Sequence, residues 1–484
     1  MAARYEDWVN GLAGDWLISR QRFFGVPIPV WYPLDEAGQP RHDAPIAAAE
    51  AALPVDPAAD APPGYAPEQR GKPGGFAGDP DVMDTWATSS LTPQIAGGWP
   101  ADDDLFRRVF PMDLRPQAHE IIRTWLFYTV LRSHAEHGAL PWRHAAISGW
   151  ILDPDRKKMS KSRGNVVTPM AILREHGSDA VRYWAASARL GTDTAFDPGQ
   201  LKIGRRLAIK ILNVSRFVLA ALPQQAPAEA DQAEDRRSLS FITQPLDLAM
   251  LSRLATVARQ CTEAFEAYEH ARALELAEQF FWFFCDDYVE LVKTRAYGGD
   301  GAAGTGSAGA GSDGAGSAGA GSDGAGSDGA GSDGAGSAGA ALRLALSALL
   351  RLFAPFLPFV TEEAWSWWRE GSVHLAPWPD PAEFPAGMAD DAAKAVGAGD
   401  AAEAGDAADR MLAAASGAIA AIRAAKSAAR LSMRAPVSGL VVSASTADLA
   451  ALTAVLPDVR AAGQVARVEL RAVAAAEPGY QVSL

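Results

Sequence analysis

Five consecutive aromatic residues, Phe280-Phe281-Trp282-Phe283-Phe284, constrain this chain more than any other feature. They sit in a stretch, 255–292, that holds neither glycine nor proline. Upstream of them Phe265, Tyr268, Ala271, Ala273 and Leu274 recur at largely helical spacing. A helix with aromatics all round its circumference has to be buried against several neighbours. The middle of the chain is therefore expected to be an all-helical bundle. Pro355 and Pro358 break the next helical pattern, and Thr361-Glu362-Glu363 is expected to open another, with acids suited to a first turn.

The bundle pattern is interrupted from about 298 to 340 by repeats of Gly, Ala, Ser and Asp. Such a run has no apolar surface to offset its ordering entropy, so it is expected to be a flexible loop. Helical patterns on both sides, 248–296 and 342–353, place it between two helices of one domain. A second stretch, 38–78, rich in Pro, Ala and Gly, is also expected to be poorly structured. Before the bundle, 15–203 reads as α/β: β-prone runs at 26–32 and 145–152 alternate with helical ones at 119–137 and 170–188. After it, an Ala- and Asp-rich tail, 381–409, leads to a helix at 411–429 and strand-like runs at 439–444 and 465–471, a small C-terminal α/β domain. The expected divisions are 1–200, 201–380 and 381–484.

Composition bounds the class. The 484 residues are 48% hydrophobic and 21% charged, ordinary for a globular chain with several cores. No run of about 18 apolar residues is present, and 1–16 carries acids and tryptophans in place of a basic-then-apolar leader. A cytoplasmic protein without membrane contact is expected. Two cysteines, Cys261 and Cys285, lack metal-ligand spacing, so no zinc and no other bound metal is expected; both read as buried small hydrophobes. The net charge of -14 does not exclude a nucleic-acid partner, because only the charge on the contact face matters.

The most specific chemical signal is Lys157-Lys158-Met159-Ser160-Lys161-Ser162-Arg163-Gly164-Asn165, after a strand-like run and the turn Asp153-Pro154-Asp155. A short loop with several cations, two hydroxyls and a glycine can close over a polyphosphate. Nucleotidyl chemistry gains most from stabilising the charge that develops there. The ordinary alternative is a solvated basic turn.

The pentapeptide Lys158 to Ser162 resembles the signature loop of class I aminoacyl-tRNA synthetases. Asp15-Trp16-Leu17-Ile18-Ser19-Arg20-Gln21-Arg22-Phe23-Phe24-Gly25-Val26-Pro27-Ile28-Pro29-Val30-Trp31 resembles their return into the nucleotide-binding fold after an inserted editing domain. Asp84-Thr85-Trp86 with Ser89-Ser90-Leu91 is similar to the valine enzymes, and the Trp-Phe-Asp-Ser-Gly string usual in isoleucine enzymes is absent. Arg115-Pro116-Gln117-Ala118-His119-Glu120-Ile121-Ile122-Arg123-Thr124-Trp125 resembles the helix that lines the amino-acid pocket. The resemblance is to the C-terminal half of class I valine–tRNA ligases of archaea and high-GC bacteria. It covers essentially the whole chain, most weakly beyond about residue 380.

That resemblance implies a partial Rossmann-like nucleotide-binding α/β domain, an all-α anticodon-binding bundle and a small C-terminal α/β domain. It implies valine, ATP with Mg²⁺, and tRNA(Val) as partners, valyl-adenylate as intermediate, and a monomer when complete. Lys161 and then Lys158 would be the catalytic ligands of the ATP phosphates, with Met159, Ser160 and Ser162 in the same loop and Gly149 and Trp150 beside the adenine. Trp86 and Trp125 would wall the valine pocket, unless they are core tryptophans; His119 and Glu120 would orient substrates, unless they lie on a helix surface. On a helical wheel Lys202, Arg205, Arg206, Lys210 and Arg216 share an arc of roughly 140°. They form either a tRNA-binding face or a solvated basic side. A second basic stretch, 421–434, resembles the helix that opens the C-terminal domain.

The chain departs from the family in one respect. It holds no His-x-Gly-His string, and His134-Ala135-Glu136-His137-Gly138 is no substitute. Met1 is accordingly expected to be an internal methionine of a longer protein, the chain a fragment without its N-terminal half or editing domain and inactive alone. Such a fragment is expected to expose a sheet edge and apolar surface. Isoleucine–tRNA ligase, or a tRNA-binding remnant without catalysis, are the alternative readings.

Overall fold

The computed structural model describes residues 1–159, 164–165, 168–221, 239–297, 330–384, 401–474 and 478–484, with backbone only at 330–333 and 401–405. They form two compact units, Met1–Lys158 with Leu190–Ala195, and Met159–Arg189 with Phe196–Leu484.

In the first unit, helix α1 (Ala2–Asn10) precedes five short strands: β1 (Ser19–Arg20), β2 (Val30–Pro33), β3 (Ile46–Ala47), β4 (Phe76–Gly78) and β5 (Val82–Met83). Strand β2 lies between β3 and β4 in an antiparallel sheet, and β1 pairs with β5. The stretch 38–78, expected to be poorly structured, is instead folded onto this sheet. Its order comes from a few anchoring contacts: Trp31 before it and Phe76 near its end are buried, and Trp31 Nε1 donates to the Asp60 carbonyl at 2.9 Å. The Arg70 guanidinium lies 4.8 Å from the Phe76 ring centroid and donates to the Pro57 carbonyl at 2.6 Å. The Pro, Ala and Gly content of the segment carries none of this.

Helices α2 (Thr85–Ser89), α3 (Thr92–Ala96) and α4 (Asp103–Val109) lead to a parallel β–α–β unit: β6 (Met112–Ala118), α5 (Phe127–His137) and β7 (Trp142–Ser148). Strand β8 (Ile151–Leu152) pairs in parallel with β9 (Thr194–Ala195). Two expectations change here. Residues 115–118, matched to a helix, are strand: Pro116 removes a helical N–H donor, and Arg115 to Ala118 register with Ala145 to Ser148. The helix expected from residue 119 opens with a 3₁₀ turn (His119–Ile121) and a π-helical turn (Ile122–Leu126).

The second unit contains α6 (Pro169–His176), α7 (Ser178–Ala186), α8 (Pro198–Ala221), α9 (Pro245–Glu266), α10 (His270–Phe283), α11 (Val289–Ala296), α12 (Ala330–Phe353), α13 (Pro358–Ser366), α14 (Ala401–Ala428) and α15 (Thr446–Gly463). Strands β10 (Val437–Ala444), β11 (Val465–Ala472) and β12 (Gly479–Ser483) form a sheet of order β11-β10-β12, parallel on one side and antiparallel on the other. One apolar core runs from Tyr183 to Val465 and takes in both the helices and this sheet. The described elements within 201–380 are all helical, and the sheet belongs to the expected small C-terminal α/β part.

The long Gly- and Pro-free stretch is two helices, divided at Tyr268, whose φ is +59°. Within the aromatic run Phe280, Phe281 and Phe284 are buried, while Trp282 and Phe283 are half-buried. Helix α12 begins at Ala330, inside the Gly/Ala/Ser/Asp repeat, and its Ser337 and Ala338 are fully buried. The rest of that expected loop, 298–329, lies outside the described residues, as does 385–400 of the Ala-rich tail. Thr361, expected to open a helix, lies inside α13, which starts at Pro358. Gly334–Phe353 is long and apolar enough to cross a membrane, but most of it is buried in the core.

A buried polar cluster pins the unit. Asp247 is fully buried and accepts from Tyr288 Oη at 2.8 Å, Ser337 Oγ at 2.6 Å and Arg295 Nη1 at 2.7 Å. Arg295 Nε also donates to Asp458 at 2.9 Å, so α9, α11, α12 and α15 meet on one guanidinium.

Candidate functional site

Because β6 and β7 run parallel, their C-terminal ends lie side by side, with Ala118 opposite Ser148. Such ends are where open α/β sheets bind ligands. His119 and Glu120 follow β6; Gly149 and Trp150 follow β7. His119 is buried, its Nδ1 3.2 Å from the Ser148 carbonyl. A carbonyl can only accept, so Nδ1 donates and carries the proton. The His119 ring meets Trp150 edge-on, with centroids 4.7 Å apart.

The signature loop enters this place through a tight turn. Asp153 Oδ1 accepts from Lys157 N at 2.7 Å, its backbone N–H donates to the Lys157 carbonyl, and Arg156 adopts φ +61°. A bridge then sets Lys158 beside Leu152. The Lys158 Nζ lies 3.5 Å from the Trp150 ring centroid and 3.9 Å from Glu120 Oε2. Four sequence candidates, His119, Glu120, Trp150 and Lys158, thus converge on one spot. Met159 belongs to the second unit; Ser160, Lys161 and Ser162 lie outside the described residues.

Gly149 is constrained by a close approach of backbone. A Cβ there would come 2.1 Å from the Thr192 carbonyl oxygen. The returning segment is fastened by Asp193 Oδ1, which accepts from Trp150 N at 2.8 Å, and by Thr194 N donating to the Trp150 carbonyl.

The proposed pocket tryptophans sit on linked elements. Trp86, half-buried on α2, is held by the Asp84 cap, which accepts from Trp86 N at 3.1 Å and from Trp16 Nε1 at 3.2 Å and pairs with Arg20. Trp125, half-buried in the π-helical turn, donates from Nε1 to the Ser89 carbonyl at the end of α2, 2.8 Å away. Sequence reasoning missed Arg115 as a site residue. Its Cζ lies 3.0 Å from the Trp125 ring centroid and 4.8 Å from that of Trp142. Once 112–118 is read as strand, the signal is an inverted pattern: Arg115 and Gln117 are buried while Leu114 and Pro116 are exposed.

In the second unit the basic residues of α8 are displayed unevenly. Lys202, Arg205, Arg206 and Arg216 are exposed, and Lys210 is half-buried. Lys210 pairs with Asp286 at 2.9 Å, and Arg205 donates to the Glu175 carbonyl. Arg206 lies 5.3 Å from the Trp282 ring, and Arg216 5.2 Å from that of Trp367. Among the described residues no group of three His, Cys, Asp or Glu side chains could hold a metal ion.

The chain belongs to the class I tRNA synthetases: residues 1–197 match the family model for tRNA synthetases class I (I, L, M and V). Residues 247–309 and 323–441 match that for the anticodon-binding domain of tRNA ligases. Within the class its relatives are valine–tRNA ligases. It is 58% identical to that of Salinispora arenicola over 97% of this chain and 50% of the relative. With the valine–tRNA ligase of Thermobifida fusca it shares 56% identity over 100% of this chain and 48% of the relative. The chain therefore spans about half the length of these curated relatives. A solved ternary complex of Agrobacterium radiobacter LeuRS with tRNA and LeuAMS shares the fold, at a TM-score of 0.55 and 20% identity over 76% of this chain and 42% of that one.

Proposed function

We propose that this chain carries part of the active site of a valine–tRNA ligase, which activates valine with ATP to valyl-adenylate and transfers it to tRNA(Val). The observation that carries this reading is the convergence of Lys158, Trp150, Glu120 and His119 beyond two parallel strand ends. A valine carboxylate oxygen attacks the α-phosphorus of ATP and pyrophosphate departs. Lys161, with Lys158 second, neutralises charge on the departing pyrophosphate, and the Ser160 and Ser162 hydroxyls donate to it. ATP arrives as its Mg²⁺ complex, so the metal belongs to the substrate. Gly149 and Trp150 lie beside the adenine, Trp86 and Trp125 wall the valine side chain, and His119 and Glu120 orient the substrates.

The basic side of α8 grips tRNA. Arg206 over Trp282 and Arg216 over Trp367 pair a cation with a half-buried indole, a combination suited to phosphate contact and base stacking. Lys202 and Arg205 add phosphate contacts, while Lys210 contributes less because Asp286 already neutralises it. The complete protein works as a monomer in the cytoplasm, where tRNA is charged.

The test is valine-dependent pyrophosphate exchange, with this chain alone and with a chimera supplying the remaining half from the Salinispora arenicola enzyme. Activity in the chimera and not in this chain alone, lost in Lys161→Ala and preferring valine to isoleucine, is expected. A chimera that activates no amino acid, while this chain still binds tRNA, would overturn the catalytic reading in favour of a binding module.

A further inference from the structure

Arg115 holds its charge in an unusual setting. It is 7% exposed, and among the described residues its Nε and Nη2 have no hydrogen-bond partner. Burial alone pulls its pKa down to about 10, with no carboxylate contributing. Two indole faces, Trp125 at 3.0 Å and Trp142 at 4.8 Å, stand where an anion would be expected. Cation–π contact offsets part of the desolvation of such a group, and Arg can also stack as a plane. A buried cation with unmet donors is nonetheless costly, and an apolar side chain of similar size would be neutral or stabilising in its place. Stability therefore does not account for an arginine at this position.

Geometry does. The Trp125 ring is tied at one edge, by its Nε1–H to the Ser89 carbonyl. A single hydrogen bond leaves an indole free to tilt about that anchor. The guanidinium, its Cζ 3.0 Å from the ring centroid, closes one face and opposes that tilt, so that only the opposite face and the free edges can then meet a substrate side chain.

We propose that Arg115 is a positioning residue that fixes the plane of the Trp125 indole and so sets the size of the amino-acid pocket. The inference rests on the reading of Trp125 as a pocket wall. Apolar pockets discriminate one methylene by about 10- to 200-fold, so a slight tilt of the wall is enough to blur valine and isoleucine.

The experiment uses pyrophosphate exchange in the valine-activating form, with Arg115→Met, Arg115→Lys and Trp125→Ala. Arg115→Met is expected to raise the KM for valine about tenfold and lower the valine-over-isoleucine preference by a similar factor. It should leave the KM for ATP within about twofold and the thermal midpoint unchanged or raised. Arg115→Lys keeps the charge without the planar stack and should fall between. Arg115→Met matching the parent in both valine KM and preference would overturn the proposal. So would parallel loss of valine and ATP affinity with a lowered midpoint, which marks a merely structural arginine. Trp125→Ala separates the two readings. If it leaves valine KM unchanged, or if no form activates valine, the pocket reading fails and the proposal falls with it.

Discussion

The two units differ in how their central buried polar side chains are satisfied. In the second, Asp247 is enclosed by donors from three side chains, and Arg295 is shared between Asp247 and Asp458. That cluster is embedded in an apolar core continuous from Tyr183 to Val465. In the first, among the described residues, Gln94 is 1% exposed with neither amide atom partnered, and Arg115 and Gln117 are buried with unmet capacity. Phe23 and Phe24 meanwhile stand almost fully in solvent. In the second unit the Asp247 cluster ties helices together, while Trp365, Trp368 and Ser416 carry buried atoms without a partner among the described residues. In the first unit Gln94, Arg115, Gln117, Phe23 and Phe24 leave polar capacity and aromatic surface unsatisfied, as expected where other molecules or chain segments are to be met.

The largest effect that tests this contrast is Asp247→Ala. It leaves Arg295 half-paired and the Tyr288 and Ser337 hydroxyls without their acceptor, so a loss of about 3–5 kcal/mol in denaturant unfolding is expected. A loss under about 1 kcal/mol would mean that the cluster does not hold the unit, and the contrast would collapse. Next is Gly149→Ala in the first unit, where the new methyl would meet the Thr192 carbonyl. Overpacking of this kind costs about 1–3 kcal/mol, and limited proteolysis should show faster cleavage near 190–195. Gln94→Leu then reverses the sign seen at Asp247. Removing an unpartnered buried amide should be neutral or stabilising by about 1 kcal/mol, read as a raised thermal midpoint. Destabilisation by Gln94→Leu would show that this glutamine has a partner, such as a bound water, and the first unit would then resemble the second.

The same contrast governs what can be read from sequence. Helices α9 and α10 are legible because local aromatic spacing reports a deep core, yet their division is not, since Tyr268 is no glycine and still takes φ +59°. The order of 38–78 is invisible in its own composition because Trp31, Phe76 and Arg70 impose it from outside or across the segment. Strand β6 is hidden by the helix-like string that follows it, although Pro116 argues against a helix. At the candidate site Lys158 is marked by its motif, but Glu120 and Trp150 reach it only through the parallel pairing of β6 with β7. Arg115 is missed because a lone arginine in a strand looks like a surface residue until its neighbours across the sheet are known.

The last test uses the cysteines, both of which lie in the second unit and are buried. Burial pushes the Cys261 thiol up to about 12, and the Cys285 thiol rises further for the same reason. An unfolded chain releases these protons above about pH 8.5, whereas the folded one keeps them. Above that pH the folded state binds more protons than the unfolded, so stability falls as pH rises toward the folded values. Near pH 10 the expected loss is about 1–2 kcal/mol per thiol, and it should be absent in a Cys261→Ala/Cys285→Ala variant. At pH 8 neither thiol should react with a disulfide reagent until the second unit opens, so the reaction rate reports the opening of that unit alone. Rapid native-state labelling, or a double variant with an unchanged alkaline slope, would show that the core around α9 and α10 admits solvent. The second unit would then lose the tight burial that distinguishes it from the first.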